Sequence, residues 1–299
     1  MITKEATAIV PTPVDDIPEP PRPHKKQRRA WDEAPRWQIY LPLGIYLVFT
    51  LIPFYWILLF ALRPAGSTSL VPWPMTFDHF EKVWTERAFG TYFENSILVG
   101  VATLVMTTLV ALAGGYALAR FDFKVKRAFM LALLCSQFVP GALLLVPLFQ
   151  IFAELQMINS LVSVIIAETV FQLPLSMILI SGFIKNVPYT LEEAAWVDGC
   201  NRFTAFRVVV LPLLRPGLIA VGSFAFVHSW NHFLFALMFL SDQGKQTIPV
   251  GLNTLMSADS VDLGALAAGG IIAAVPVVIV FAFIQKWLIT GFSAGAVKG

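Results

Sequence analysis

The sequence predicts an all-α membrane protein of six transmembrane helices with both termini in the cytoplasm, and three observations carry that expectation. Of 299 residues, 57% are hydrophobic and only 13% charged, with a mean hydropathy of +0.72, too apolar for a soluble domain of this length. Six charge-poor windows each reach the roughly 20 residues a helix needs to cross about 30 Å of hydrocarbon. Finally, Lys and Arg gather on one side of those windows.

Residues 1–36 contain seven prolines, an acidic patch from Asp15 to Glu19 and a basic run, HKKQRR, from His24 to Arg29. With few large apolar residues, this composition predicts a disordered cytoplasmic tail, its basic run attracted to anionic lipid. A cleavable signal is not expected, because the apolar run that follows is too long and lacks an Ala-x-Ala ending. The membrane domain is expected over residues 37–299.

The windows lie between Arg36 and Arg63, Glu94 and Arg120, Arg127 and Glu154, Glu154 and Lys185, Arg215 and Asp242, and Asp262 and Lys286, and only the fourth holds a charge, Glu168. Lipid admits only helices and closed barrels, and these windows are too long for barrel strands. A cytoplasmic N-terminus puts seven basic residues in the tail, four in residues 120–127, four in residues 185–215 and two after the last span. That leaves only Arg63, Lys82, Arg87 and Lys245 outside, so the pI near 8.5 reflects topology and calls for no nucleic-acid partner.

Between the fourth and fifth windows, LEEAAWVDGCN (residues 191–201) is polar and faces the cytoplasm in this topology. Thr190 and Glu193 have capping-box spacing, and Asp198-Gly199 supplies a left-handed stop. A second short helix is expected from Arg202 to Val210, closed by Leu211-Pro212. Two capped helices joined by a tight turn form a plug. Leu191, Ala194, Ala195, Val197 and Phe203 suit a groove on a partner protein, and Glu192, Glu193 and Asp198 suit its arginines.

The stretch EEAAWVDGCNRFTAFRVVVLPLLRP (residues 192–216) closely resembles the EAA motif of ATP-binding-cassette importer membrane subunits. The resemblance implies a type I importer permease fold whose coupling helices dock into a cleft on a separate ATPase subunit. Glu193, Ala194, Ala195, Asp198, Gly199, Leu211 and Pro212 occupy the motif's main positions, with Glu192 beside them, and Cys200 stands where a small residue such as alanine is common. WNHFLFAL (230–237), QTIPVGLNTL (246–255) and QKWLITGFSAGAVKG (285–299) resemble the carbohydrate branch, notably the second subunit of maltose-type transporters. In that relative the tail reaches between the ATPase subunits, which implies a contact for Lys298. The implied partners are a homologous second permease subunit, two ATPase subunits that bind ATP and Mg, and an extracytoplasmic sugar-binding protein.

No bond chemistry is expected of the chain itself. Gly244-Lys245 is followed by Gln246 and lacks the upstream glycine of a phosphate-binding loop; His228 to His232 lacks the glutamate of a zinc-protease helix. Cys135 and Cys200 give neither a disulfide framework nor a spaced metal set, and two histidines are too few ligands for a metal.

A charge at mid-bilayer is costly if it faces lipid, so polar residues inside spans mark a solute path or bind a neighbouring helix. Glu168, Gln172 and Ser176 share one helical face, and His228, Asn231 and His232 share another. Small residues recur at four-residue spacing at Thr103, Thr107, Ala111 and Gly115, and at Ala265, Gly269 and Ala273, where backbones can approach closely. Prolines 140, 147, 174 and 276 are candidate bends. The reading that follows is an ATP-driven sugar importer subunit working by alternating access. Its alternatives are a proton-coupled secondary carrier using Glu168 and the histidines, and an importer of a non-sugar solute.

Overall fold

The computed structural model describes the backbone of residues 36–256 and 261–296, and the side chains of residues 37–256 and 261–285. The expected tail and Lys298 lie outside the described residues. The chain divides into two compact units, Met1–Ile52 and Pro53–Gly299, with the boundary inside the first helix.

The described residues are helical and contain no strand. Helix α1 spans Arg36–Leu62, α2 Asp78–Glu86, α3 Phe89–Arg120, α4 Lys126–Ser136, α5 Leu145–Glu154 and α6 Leu161–Lys185. There follow α7 (Thr190–Val197), α8 (Arg202–Leu213, with a π turn at Phe206–Val210), α9 (Arg215–Asn231), α10 (Leu234–Phe239), α11 (Ile248–Met256) and α12 (Leu263–Ala296). Among the described residues, four helices are long and apolar enough to cross a membrane, and six spans result if each of two bent pairs counts as one.

The third and fifth windows are therefore not straight helices. α4 and α5 meet at 96° across a break at Pro140, which lacks an N–H and disfavours helix in the residue before it. α8 and α9 meet at 73° around Leu214, and the fifth span breaks again at His232, whose backbone is extended. Pro174 and Pro276, by contrast, sit inside continuous helices, so they set no break. α3 starts before Glu94, at a turn in which Ala88 adopts the left-handed conformation.

The stripe of small residues on α3 is buried as its spacing predicts: Thr103, Thr107 and Ala111 are wholly inaccessible. It faces α6 and α9. A Cβ on Gly115 would lie 2.7 Å from Ile180 Cγ2 and 3.1 Å from the Ser181 amide nitrogen, so glycine there sets the approach of α3 and α6. The resulting core gathers Ala111, Ile180, Ile184, Val210, Leu214 and Val221, joining α3, α6 and the α8–α9 corner. Elsewhere large apolar side chains such as Leu98, Val105 and Leu109 stay exposed, as lipid permits.

At the opposite end of the bundle, Asp262 caps α12 by accepting from the Ala265 N–H at 3.0 Å, and its other oxygen accepts from Lys82 Nζ at 2.9 Å. Partial burial pushes this carboxyl up, but the Ala265 hydrogen bond and the Lys82 ammonium outweigh it and hold the pKa below the ordinary carboxylate value.

Gly115→Ala should overpack the α3–α6 contact at about 1–3 kcal/mol. Gly182→Ala, with open space around its Cβ, should cost nothing, and thermal unfolding in detergent compares the two. Because Asp262 has a lowered folded pKa, its contribution is present above the ordinary carboxylate range and is lost as pH falls through the folded value. Asp262→Asn should flatten that acid-side slope in a melting-temperature series while costing less than about 1 kcal/mol near neutrality, as partly exposed pairs do.

Candidate functional site: a coupling elbow and a buried polar cluster

The elbow is built as two short helices, but its first cap differs from expectation. Thr190 is already helical, Tyr189 precedes it without a side-chain cap, and no capping box forms between Thr190 and Glu193. The Pro188–Tyr189 turn accounts for this: the N–H groups of Leu191, Glu192 and Glu193 donate to the Pro188 and Tyr189 carbonyls. The stop is as expected. Gly199 has φ +89°, Cys200 N–H donates to Ala195 O at 2.9 Å and Gly199 N–H to Trp196 O at 3.0 Å, the paired bonds of a Schellman ending. Asn201 then caps α8, accepting from Thr204 N–H at 2.8 Å.

The carboxylates of the elbow divide. Glu193 and Asp198 are exposed, together with Leu191, Ala194, Val197 and Phe203, so acid and apolar groups share one outward surface. Ala195 is buried and Leu211 and Pro212 are half-buried at the base. Glu192 departs from the outward placement expected of it, being 1% exposed. Its Oε1 accepts from Arg120 Nε at 2.6 Å and its Oε2 from the Tyr116 hydroxyl at 2.7 Å. Arg120 also donates to Val187 O at 2.9 Å, so the end of α3 grips both sides of the α6–α7 turn.

Aromatic rings extend this grip. The Arg120 guanidinium lies 5.3 Å from the Tyr189 ring, Tyr189 meets Trp196 edge to face at 5.7 Å, and Arg202 lies 5.5 Å from the Trp196 ring. In the sequence Arg120 registers only as a topology signal. A guanidinium closing an apolar span, paired with the one elbow carboxylate on the buried side of α7, was the available clue.

The second site lies where α6 faces α9. Glu168, Gln172 and Ser176 are all buried on one face of α6, as their spacing predicts. His232 Nδ1 approaches Glu168 Oε1 to 2.7 Å and His228 Nδ1 approaches Oε2 to 3.5 Å, with the imidazoles stacked 5.4 Å apart. These are ion-pair distances whose angles are not those of hydrogen bonds. Both Glu168 oxygens, both Gln172 amide atoms and Thr169 Oγ1 are buried without a hydrogen bond among the described residues. His228 and His232 are partly exposed, so they stand between the buried carboxylate and the surface.

Asn231 does not join the histidines as expected. Its amide donates to Val227 O at 2.8 Å, and it lines a separate cavity of about 340 Å³ with Trp230, Phe233, Leu252 and Asn253. The helix ends at Asn231, yet His232 still stacks on His228 and faces Glu168 with it. Among the described residues no cluster of three or more His, Cys, Asp or Glu is arranged to hold a metal ion.

Residues 110–293 match the family described as binding-protein-dependent transport system inner membrane component. The diacetylchitobiose uptake system permease protein DasC of Streptomyces coelicolor is 36% identical over 86% of this chain and 94% of its own. The arabinooligosaccharides transport system permease protein AraQ of Halalkalibacterium halodurans is 32% identical over 88% of this chain and 96% of its own. A crystal structure of a bacterial ABC transporter that imports the acidic polysaccharide alginate shares the fold, with TM-score 0.71 at 20% identity over 85% of this chain and 98% of that one. The chain belongs to the family of inner membrane components of binding-protein-dependent transport systems, multi-pass proteins of the cell membrane that serve transport and not catalysis.

Proposed function

We propose that the chain is the sugar-translocating permease subunit of an ATP-driven importer, and that the observation carrying this reading is the elbow. Its outward surface of Glu193, Asp198, Leu191, Val197 and Phe203 is not covered by any of the described residues, while its inward residue Glu192 is fastened to α3. A lever needs both a surface that is pushed and an attachment that transmits the push. The resemblance of residues 192–216 to the EAA motif supports placing Glu193, Ala194, Asp198 and Gly199 at that surface. Glu192, Ala195, Leu211 and Pro212 then position it from beneath.

The partners in this reading are a homologous permease subunit, two ATPase subunits that carry ATP and Mg, and an extracytoplasmic solute-binding protein. A solved alginate transporter of the same fold is in complex with a periplasmic protein bound to an alginate pentasaccharide, which supports the last of these. Relatives named for diacetylchitobiose, arabinooligosaccharides and trehalose support a di- or oligosaccharide as cargo. ATP closing the ATPase dimer would draw the elbows together and tilt the spans, and hydrolysis would reverse this. Along the path, His228 and His232 offer hydrogen bonds to sugar hydroxyls, and buried Glu168, with Gln172 and Ser176 behind, orients them. Asn231 contributes from the neighbouring cavity.

A proton-coupled carrier is the second reading, favoured by the Glu168–His232–His228 cluster itself. Proteoliposomes separate the two. The importer reading expects uptake only with ATP inside and the binding protein outside, and uptake under a proton gradient without ATPase subunits would overturn it. Replacing Glu193 with Gln should lower ATP-driven uptake by about 10-fold or more, the loss of one charge-assisted hydrogen bond, with an unchanged melting temperature. Glu192→Gln should also lower uptake, but with reduced thermal stability, because it weakens a buried pair whose disruption costs about 3–5 kcal/mol. Equal stability of the two variants would show that Glu192 does not act through α3.

A further inference from the structure

An aromatic-walled cavity of about 420 Å³ lies beside the elbow, between the end of α3 and helices α7 and α8. The coupling reading shares Phe203 with this cavity but gives no role to Arg202 or to the cavity's apolar end. Two guanidiniums, Arg120 and Arg202, line it and no carboxylate does; Glu193 and Asp198 lie elsewhere on the elbow. Glu192 neutralises Arg120 from behind. Arg202 is exposed and has no ion pair with any carboxylate among the described residues, so the cavity carries an uncompensated positive charge.

The other walls say what kind of anion would fit. Leu112 and Ala113 form one end, two turns before Arg120 on an apolar span, which is about 12 Å along the helix at ~1.5 Å per residue. The cavity thus runs from hydrocarbon depth to the water boundary. Tyr116, one turn before Arg120, and Tyr189 and Trp196, beside the two guanidiniums, also line it, amphipathic aromatics of the kind that favour the headgroup zone. A free inorganic anion would satisfy Arg202 and leave the apolar end unmatched. A water-soluble protein segment could reach Arg202 but not the wall at Leu112 and Ala113. An amphiphile with an anionic head and an acyl chain matches both ends.

We infer that this cavity is a binding site for an anionic glycerophospholipid, its phosphate held by Arg202 and one acyl chain laid along Leu112 and Ala113. The charge bias of the sequence puts the elbow on the cytoplasmic side, where anionic lipid is concentrated and basic pockets between helices capture headgroups. A lipid seated there bridges the end of α3 and the start of α8, the two elements that Glu192 and the aromatic ladder already hold together. Anionic lipid would therefore stiffen the elbow.

The test uses the full transporter, with this chain co-expressed with its partner subunits, in nanodiscs of phosphatidylcholine with or without phosphatidylglycerol. Native mass spectrometry after detergent extraction should find phosphatidylglycerol retained on the wild-type complex. Arg202→Gln should weaken that retention about tenfold, the loss of a charge-assisted contact. Ala113→Phe, which fills the apolar end without touching charge, should weaken it equally and keeps the test valid if Arg202→Gln misfolds. Arg207→Gln, an exposed cation outside the cavity, should leave retention unchanged. Equal retention by wild type and by both cavity variants, as expected if another subunit covers the cavity, overturns the inference. So does displacement of phosphatidylglycerol by inorganic phosphate alone, which would mark a site for a soluble anion.

Discussion

A carboxylate cannot be buried in a membrane protein without partners that replace its water, and the elbow depends on how Glu192 meets that demand. Arg120 supplies charge and Tyr116 supplies a hydroxyl, so both oxygens are satisfied in a space that excludes solvent. Such a pair contributes little net stability over an apolar equivalent, yet losing one member is costly. Its value lies in geometry. It ties the start of α7 to the last turn of α3, and α3 in turn packs on α6 across Gly115 with almost no intervening side chain. Any displacement of the elbow would thereby reach two helices at once.

Glu168 provides the contrast. It is as deeply buried as Glu192, but among the described residues neither of its oxygens is hydrogen-bonded, and its neighbours are imidazoles that reach the surface. A fully satisfied buried carboxylate serves architecture. One left unsatisfied beside partly exposed, titratable rings keeps bonding capacity in reserve, and buried polar groups of that kind in a native fold call for a functional reason. Both are acids near small residues in the sequence, Glu168 at Ala167 and Glu192 near Ala194 and Ala195, and their partners tell them apart.

Much of this was legible in the sequence because bilayer physics is strict. Window length marks the long apolar helices, and four-residue spacing marks the buried stripe of Thr103, Thr107 and Ala111 on α3 and the Glu168, Gln172 and Ser176 face of α6. The Gly199 stop was readable for the same reason: a left-handed turn restricts residue choice. Three features were not. The capping box lost to the Pro188–Tyr189 turn because backbone carbonyls reached the free N–H groups first. The inward turn of Glu192 depends on Arg120, 72 residues away, a pairing that spacing cannot reveal. And the break at His232 has no proline or glycine to announce it.

That break bears on the proposed solute path. Backbone that leaves a helix at membrane depth exposes polar groups that lipid cannot satisfy, so it persists only where protein buries it or where it borders a wet cavity. At His232 both conditions are present: its N–H donates to Ser229 O, and the cavity lined by Trp230, Asn231 and Phe233 adjoins the same turn. An uninterrupted helix would keep His228, Asn231 and His232 on one stripe. Here His228 and His232 both face Glu168 while Asn231 lies beside the cavity, so one span presents polar groups in two directions. A sugar carries hydroxyls on both faces of its ring, and a lining that offers donors and acceptors from diverging directions suits it better than a single polar stripe.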